Sequence, residues 1–155
     1  MLGAAAPHEF DALAALIHET IWSLGYYNER ARLAEVKKYS VDNLRAIAAA
    51  DPHAIIVARD ELGLTGFCVS SHDGGVVSLA WYGTAVRARG RGVGAALLAA
   101  LAASLSVRDA HKLWCDSRTD NKESNSVLER AGYKRVATLT NHWCGQDYYL
   151  WECYP

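Results

Sequence analysis

The amino-acid sequence predicts an α/β (α+β) fold, a mixed and mostly antiparallel central sheet with helices on its faces. Three observations predict it. Apolar residues switch between helical and extended spacing along the chain. Two tight turns, Glu61-Leu62-Gly63 and His72-Asp73-Gly74-Gly75, join the first three strands and make them antiparallel. The helix that follows Gly92 is long enough to carry the chain across to a parallel neighbour.

The elements follow in order. Phe10, Leu13, Leu16, Ile17 and Ile21 recur at helical spacing, which predicts an amphipathic helix from about Glu9 to Leu24, broken by Gly25. A second helix is predicted through Tyr39 to Ala50, with Ser40 or Asp42 as N-cap and Asp51-Pro52 closing it. No convincing strand is read before Ala54. Ala54 to Ala58 reads as a buried strand, Leu64 to Ser70 as its return, and Val76 to Val86 as the next strand. A helix runs from Gly92 to near Ser106, followed by a strand at Lys112 to Ser117. Asn121 to Ala131 is helical and stops at Gly132, a residue suited to the C′ position. Strands at Tyr133 to Leu139 and Asp147 to Cys153 flank a polar loop. With no repeat or linker, residues 1–155 are expected to form one domain.

Composition narrows the function. Half of the residues are apolar (51%), enough for a real core, and the net charge of −1 sets up no field to attract nucleic acid or an anionic membrane. Neither is expected as a partner. Cys68, Cys115, Cys144 and Cys153 are scattered, without Cys-x-x-Cys pairing or a His at zinc-ligand spacing, so they are expected to be reduced and no metal is expected. The opening residues lack a basic stretch followed by an apolar one, and the Val93 to Leu105 run falls short of the roughly 20 residues that span a bilayer. The cytoplasm is the expected location.

The strongest chemical signal is Arg89-Gly90-Arg91-Gly92-Val93-Gly94-Ala95, where a strand gives way to a helix. Glycines allow a sharp turn and close backbone approach, and the helix start offers unpaired N–H groups and partial positive charge. Arg89 and Arg91 add charge-assisted hydrogen bonds. Together they suit a diphosphate. A Walker loop would need Gly-Lys-Ser or Gly-Lys-Thr, and a dinucleotide fold would place its glycines after the first strand. This sequence has neither.

These residues match the Arg/Gln-x-x-Gly-x-Gly/Ala signature, and the sequence resembles the GNAT superfamily of acetyl-CoA-dependent N-acetyltransferases. A second match lies in Asn121-Lys122-Glu123-Ser124-Asn125-Ser126-Val127-Leu128-Glu129-Arg130-Ala131-Gly132-Tyr133, which is similar to the branch that includes ribosomal-protein N-terminal acetyltransferases. The resemblance covers roughly Ala54 to Glu152. It implies a strand pair splayed to admit coenzyme A, with the strand end at Thr84, Ala85 and Val86 lending its backbone to the pantetheine arm. It also implies that Arg89 to Ala95 wrap the diphosphate, with Asn121 and Ser124 approaching from the other side. Family members are often homodimers, so a dimer is an expected state.

The chemistry implied is acetyl transfer from a thioester to a primary amine, on a small molecule or a polypeptide N-terminus. A backbone N–H near Thr84 to Val86 would polarise the carbonyl. Many family members carry a Tyr as general acid where this chain has Leu128, and that departure motivates a second reading, a catalytically degenerate acyl-CoA-binding sensor or scaffold. Tyr148 or Tyr149 could replace the acid, and His72, Asp73, Asp116 and Glu123 are the carboxylate and imidazole candidates for a base. Asp116 and Tyr148 are taken as the catalytic pair. Cys115 has no His partner to activate it. Tyr26 and Tyr27, Trp81 with Tyr82, and Trp143 are the aromatics expected to line an amine pocket, since π-faces attract cations.

Overall fold

Seven strands form one sheet in the order β1-β2-β3-β4-β5-β7-β6, seen in a computed structural model that describes residues 1–154. The strands are β1 (Leu2–Ala4), β2 (Ile55–Asp60), β3 (Gly63–Asp73), β4 (Val76–Thr84), β5 (Lys112–Arg118), β6 (Lys134–Leu139) and β7 (Tyr148–Cys153). Helices α1 (Phe10–Ser23), α2 (Glu29–Lys38) and α3 (Val41–Ala50) precede β2, while α4 (Val93–Val107) and α5 (Lys122–Arg130) flank β5. Every neighbouring pair is antiparallel except β4 and β5; the hairpin turns predict the pairing of β2, β3 and β4, and the crossover the parallel pair.

The sheet separates two cores. On one face the α1 stripe of Phe10, Leu13, Ile17 and Ile21 packs with Leu44 of α3 over Ile55, Val57, Phe67 and Val69. On the other, Leu97, Leu98, Leu101 and Leu105 of α4 and Leu128 of α5 cover Cys68, Leu113, Cys115 and Trp151. Alternation along each strand sends successive side chains into opposite cores. Helix α4 is two-thirds Ala and Leu, among the best helix formers, and buries four leucines on one side. Ser40 caps α3 by accepting from the Asn43 N–H, one of the two caps expected.

Two elements depart from expectation. The opening strand exists: Leu2, Gly3 and Ala4 pair with Ala58, Val57 and Ile56. Three residues of Leu-Gly-Ala carry no periodicity, and their pairing is fixed by partners over fifty positions away. Arg59 secures them, donating to the Glu9 carboxylate at 2.7 Å and to the Ala4 carbonyl at 2.9 Å. The second addition is α2, which lies between the two helices that the sequence predicts. It is polar, buries no residue fully, and starts at Asn28, whose side chain accepts from the Ala31 N–H.

One irregularity positions the site. In β4 the pairing passes from Ser70–Leu79 to Val69–Trp81, so Ala80 is an extra residue in a β-bulge. Val77 and Leu79 face α4, and without the bulge Trp81 would do so too. Instead Trp81 turns to the α1 face and Tyr82 turns to the α4 face.

Candidate functional site

The phosphate-loop glycines hold the backbone in a conformation that side chains resist. Gly90 and Gly92 have φ of 73° and 77°, and a Cβ on either would meet no atom within 4 Å. Gly92 is the N-cap of α4 and offers no side-chain oxygen to the first turn. The leading N–H groups of a helix have no partner within it, so those of α4 point outward, available to an anion. Arg89 and Arg91 are exposed beside them, and among the described residues neither has a carboxylate within 4.0 Å. Arg87, by contrast, is committed to Asp60 through two hydrogen bonds of 2.7 and 3.0 Å. The donors fit a diphosphate.

Next to the loop the sheet opens. Strands β4 and β5 pair only at Val76–Lys112, Val77–Leu113 and Ser78–Trp114, after which no residue pairs join them. The open end lies at Tyr82 to Thr84, beside the start of α4. The Ala85 N–H donates to Thr65 of the β3 side at 2.9 Å. Antiparallel ladders alternate, so Tyr82 and Thr84 turn their N–H and C=O groups into the gap. The amide expected to polarise a carbonyl is thus better supplied at Tyr82 or Thr84 than at Ala85, which is already bonded. Val86 leaves the strand for a short 3-10 turn and is exposed.

Helix α5 closes the other side. Asn121 is its N-cap, accepting from the Ser124 N–H at 3.2 Å, and both residues are half-buried. The Ser124 hydroxyl lies 2.6 Å from the Tyr82 phenol. That contact crosses from β4 to α5. A Cβ added to Gly94 would stand 3.7 Å from the Tyr82 ring, which places this ring against the first turn of α4 as well.

The residues expected to meet an acceptor gather on the opposite face. Asp116 alternates with the buried Cys115 and Ser117 and so faces away from α4 and α5. Its Oδ2 accepts from the Trp143 indole at 2.8 Å. His142 packs edge-on against Trp143 and Tyr148, with centroids 4.6 and 6.0 Å away. Tyr148 pairs across the sheet with Arg118, whose guanidinium lies 4.2 Å from the Tyr26 ring. Tyr27 touches Tyr26 and Trp81 edge-on, at 5.0 and 6.2 Å. The Trp81 indole donates to Glu35 of α2 at 3.2 Å, which explains what the unpredicted helix does here. Burial pushes the Tyr148 phenol up to about 12, against the pull of nearby Arg118, so it stays protonated at neutral pH.

Of the acceptor-side residues named from the sequence, Tyr26, Tyr27, Trp81, Asp116, Trp143 and Tyr148 therefore share one region. Among the described residues Asp116 has no Lys, Arg or His nitrogen within 4.0 Å, whereas Arg118 pairs with Asp120 and Glu35 with Lys38. The other base candidates stand apart. His72 and Asp73 pair with Val77 and Val76, at the closed end of the β4–β5 gap, and Glu123 is exposed on the outside of α5. Tyr82, first read as a pocket aromatic beside Trp81, belongs to the loop side instead, because of the bulge.

A sequence model described as the Acetyltransferase (GNAT) family matches residues 17–133, most of the chain. The chain belongs to the GNAT acetyltransferase family. It is therefore an acyltransferase, as its two motifs imply. No curated protein sequence matches it. Solved structures share its fold. Coenzyme A-bound PaiA N-acetyltransferase from Thermoplasma acidophilum superposes with a TM-score of 0.85 at 16% identity, over 100% of this chain and 98% of that one. Ribosomal-protein-alanine N-acetyltransferase from Brucella melitensis gives 0.80 at 20% identity, over 100% and 99%. YncA from Salmonella typhimurium, solved with acetyl-CoA, gives 0.79 at 17% identity, over 99% and 92%. At these identities the likeness is one of fold.

In this GNAT acetyltransferase Leu128 is 1% exposed and part of the α4-side core, so no hydroxyl reaches the gap from that position. Burial pushes the Cys68 thiol up to about 12 and the Cys115 thiol higher still, which leaves both unreactive. Alkylation of the native protein, followed by peptide mass mapping, is expected to label exposed Cys144 and spare Cys68 and Cys115. Among the described residues no group of three or more His, Cys, Asp or Glu is placed to hold a metal. No described helix is long and apolar enough to cross a membrane.

Proposed function

We propose that this enzyme is an N-acetyltransferase that moves the acetyl group of acetyl-CoA to a primary amine by direct attack, both substrates being bound together. The observation that carries this reading is the two-sided opening at Tyr82 to Thr84: free helix amides and arginines lie on one side, and aromatics with an unpaired carboxylate on the other. Arg89 to Ala95 hold the diphosphate, Asn121 and Ser124 border the pantetheine arm, and the arm fills the gap between β4 and β5. The N–H groups at Tyr82 and Thr84 stabilise charge growing on the thioester oxygen, in a site where such donors are worth more than in water.

On the acceptor side, Tyr26, Tyr27, Trp81 and Trp143 supply ring faces for an alkylammonium group, and Asp116 supplies the charge that draws it in. Asp116 also takes up, through a water, the ammonium proton that must leave before the amine can attack. Tyr148 orients the acceptor. Juxtaposition of the two substrates contributes much of the acceleration without a covalent enzyme intermediate. The cytoplasm, where acetyl-CoA is available, suits such an enzyme.

The test is release of free thiol from acetyl-CoA in the presence of a panel of primary amines. Turnover with at least one amine is expected. Tight coenzyme A binding with no turnover for any amine would instead support the acyl-CoA-sensing module that buried Leu128 suggests. Asp116→Asn keeps the shape and the Trp143 contact but loses the charge. It is expected to lower kcat/KM for the amine by about 100-fold, with coenzyme A affinity unchanged.

A further inference from the structure

We propose that the Tyr82 hydroxyl is the proton donor to the departing thiolate. The inference rests on reading the β4–β5 gap as the berth of the thioester. Tyr82 lies four residues beyond Ser78, the last β4 residue paired to β5, so it stands where the strands have parted. Its side chain meets all three borders of the gap: it belongs to β4, its ring lies against Gly94 of α4, and its hydroxyl reaches Ser124 of α5. Its backbone N–H faces the same opening. A sulfur placed beside that amide lies on the strand that carries this phenol, whereas Tyr148 and Asp116 lie on the other face.

Burial pushes the Tyr82 phenol up to about 12 while the Ser124 hydrogen bond opposes the rise, so the proton is in place at neutral pH. Ser124 is half-buried and bridges this phenol toward solvent. As the amine nitrogen bonds to the carbonyl carbon, the carbon–sulfur bond breaks and its electron pair leaves on sulfur. The Tyr82 proton passes to that sulfur, and the phenolate regains a proton through the Ser124 hydroxyl from water. The acceptor, bound as the ammonium, gives up one proton through Asp116 before it attacks and a second to water as the amide forms. Thioester and amine become amide and thiol, with no other reactant.

The bulge at Ala80 makes this possible. It turns residue 82 toward α5, where an unbulged strand would send it to the α1 face. The hydroxyl that Leu128 cannot offer thus comes from the opposite wall.

Tyr82→Phe in the full enzyme separates chemistry from binding. Its coenzyme A affinity, by calorimetric titration, is expected to stay within about threefold of wild type, while kcat falls by about 100-fold. The solvent deuterium isotope effect on kcat should shrink in the variant, leaving only the part due to transfer to Asp116, a signature that a packing role would not move. A kcat within about twofold of wild type, or an equal loss of affinity and kcat, overturns the proposal. Monofluorotyrosine at position 82 preserves the packing should the phenylalanine variant fold poorly. Its fluorine resonance is expected to shift on adding coenzyme A and to shift far less with desulfo-coenzyme A; equal shifts overturn the sulfur contact. Absence of turnover in the wild type would sink the acetyltransfer reading instead, and the fluorine measurement would still report on Tyr82.

Discussion

Gly92→Trp is expected to lower affinity for coenzyme A by about 1000-fold while costing only a few degrees of thermal stability. The residue caps α4 with φ of 77°, in a left-handed conformation where a Cβ meets nothing within 4 Å. The protein itself therefore has room for a side chain. Holding a non-glycine residue in that conformation costs about 1–2 kcal/mol, a fall of roughly 2–8 °C for a domain of this size. The bound diphosphate has no such room, because an indole there covers the leading N–H groups of the helix. Charge-assisted hydrogen bonds are worth about 1.5–3 kcal/mol each, and losing two amounts to roughly 4 kcal/mol, or three decades of affinity. Calorimetric titration with coenzyme A and a thermal melt of the same sample check both halves. Gly92→Ala has the same backbone strain without the bulk, so it should melt like the Trp variant yet keep most of its affinity. Wild-type affinity in the Trp variant would remove the diphosphate from this loop.

The second large effect is on stability. Asp51→Ala is expected to cost about 3 kcal/mol and to lower the melting temperature by roughly 6–12 °C. Arg108, at the end of α4, is 6% exposed and reaches beneath the sheet to donate to Asp51 at 2.6 Å and to Ser70 at 3.0 Å. Its Nε is buried with no protein partner, so the guanidinium depends on the two bonds it has. Removing the carboxylate leaves a buried cation half satisfied, and it also removes the oxygen that accepts from the His53 N–H after α3. The estimate sits at the low end because the Asp51 side chain is 25% exposed and water can enter in its place. Arg108→Leu combined with Asp51→Ala should recover most of the loss, since the uncompensated charge is gone. A single variant melting like wild type would show that Arg108 is not held by this pair.

How legible the molecule was follows from where each signal resides. The phosphate loop was readable because its chemistry demands glycines, and glycines stand out in any sequence. Asp116 and Tyr148 were readable as residues, but their closeness depends on the β5–β7 register that sets Asp116 against Leu150 and Arg118 against Tyr148. No local pattern encodes that register. Strand β1 was invisible because three residues leave no periodicity, and their partners lie in β2. Helix α2 did carry a clue, Asn28 followed by Glu29 and ending in Lys37 and Lys38, an N-cap with charges that complement a helix dipole. It has no apolar stripe, since none of its residues is buried. Tyr82 was readable as an aromatic beside Trp81, but not as a hydroxyl on the loop side. Alternation correctly opposes it to Trp81, yet which of the two faces α5 depends on Ala80, and a bulge is a property of the pairing rather than of the strand.

The sparse joint between β4 and β5 has a mechanical corollary. Four strands form one leaf and three the other, and only three residue pairs, with α4 spanning across, stitch the leaves together. A guest threaded through the opening adds stitches along the unsewn length, so occupancy and resistance to unfolding rise together. A ligand present at a hundred times its dissociation constant adds about 2.7 kcal/mol, nearly as much as the buried ion pair at Arg108. The emptied molecule is the one whose leaves part first.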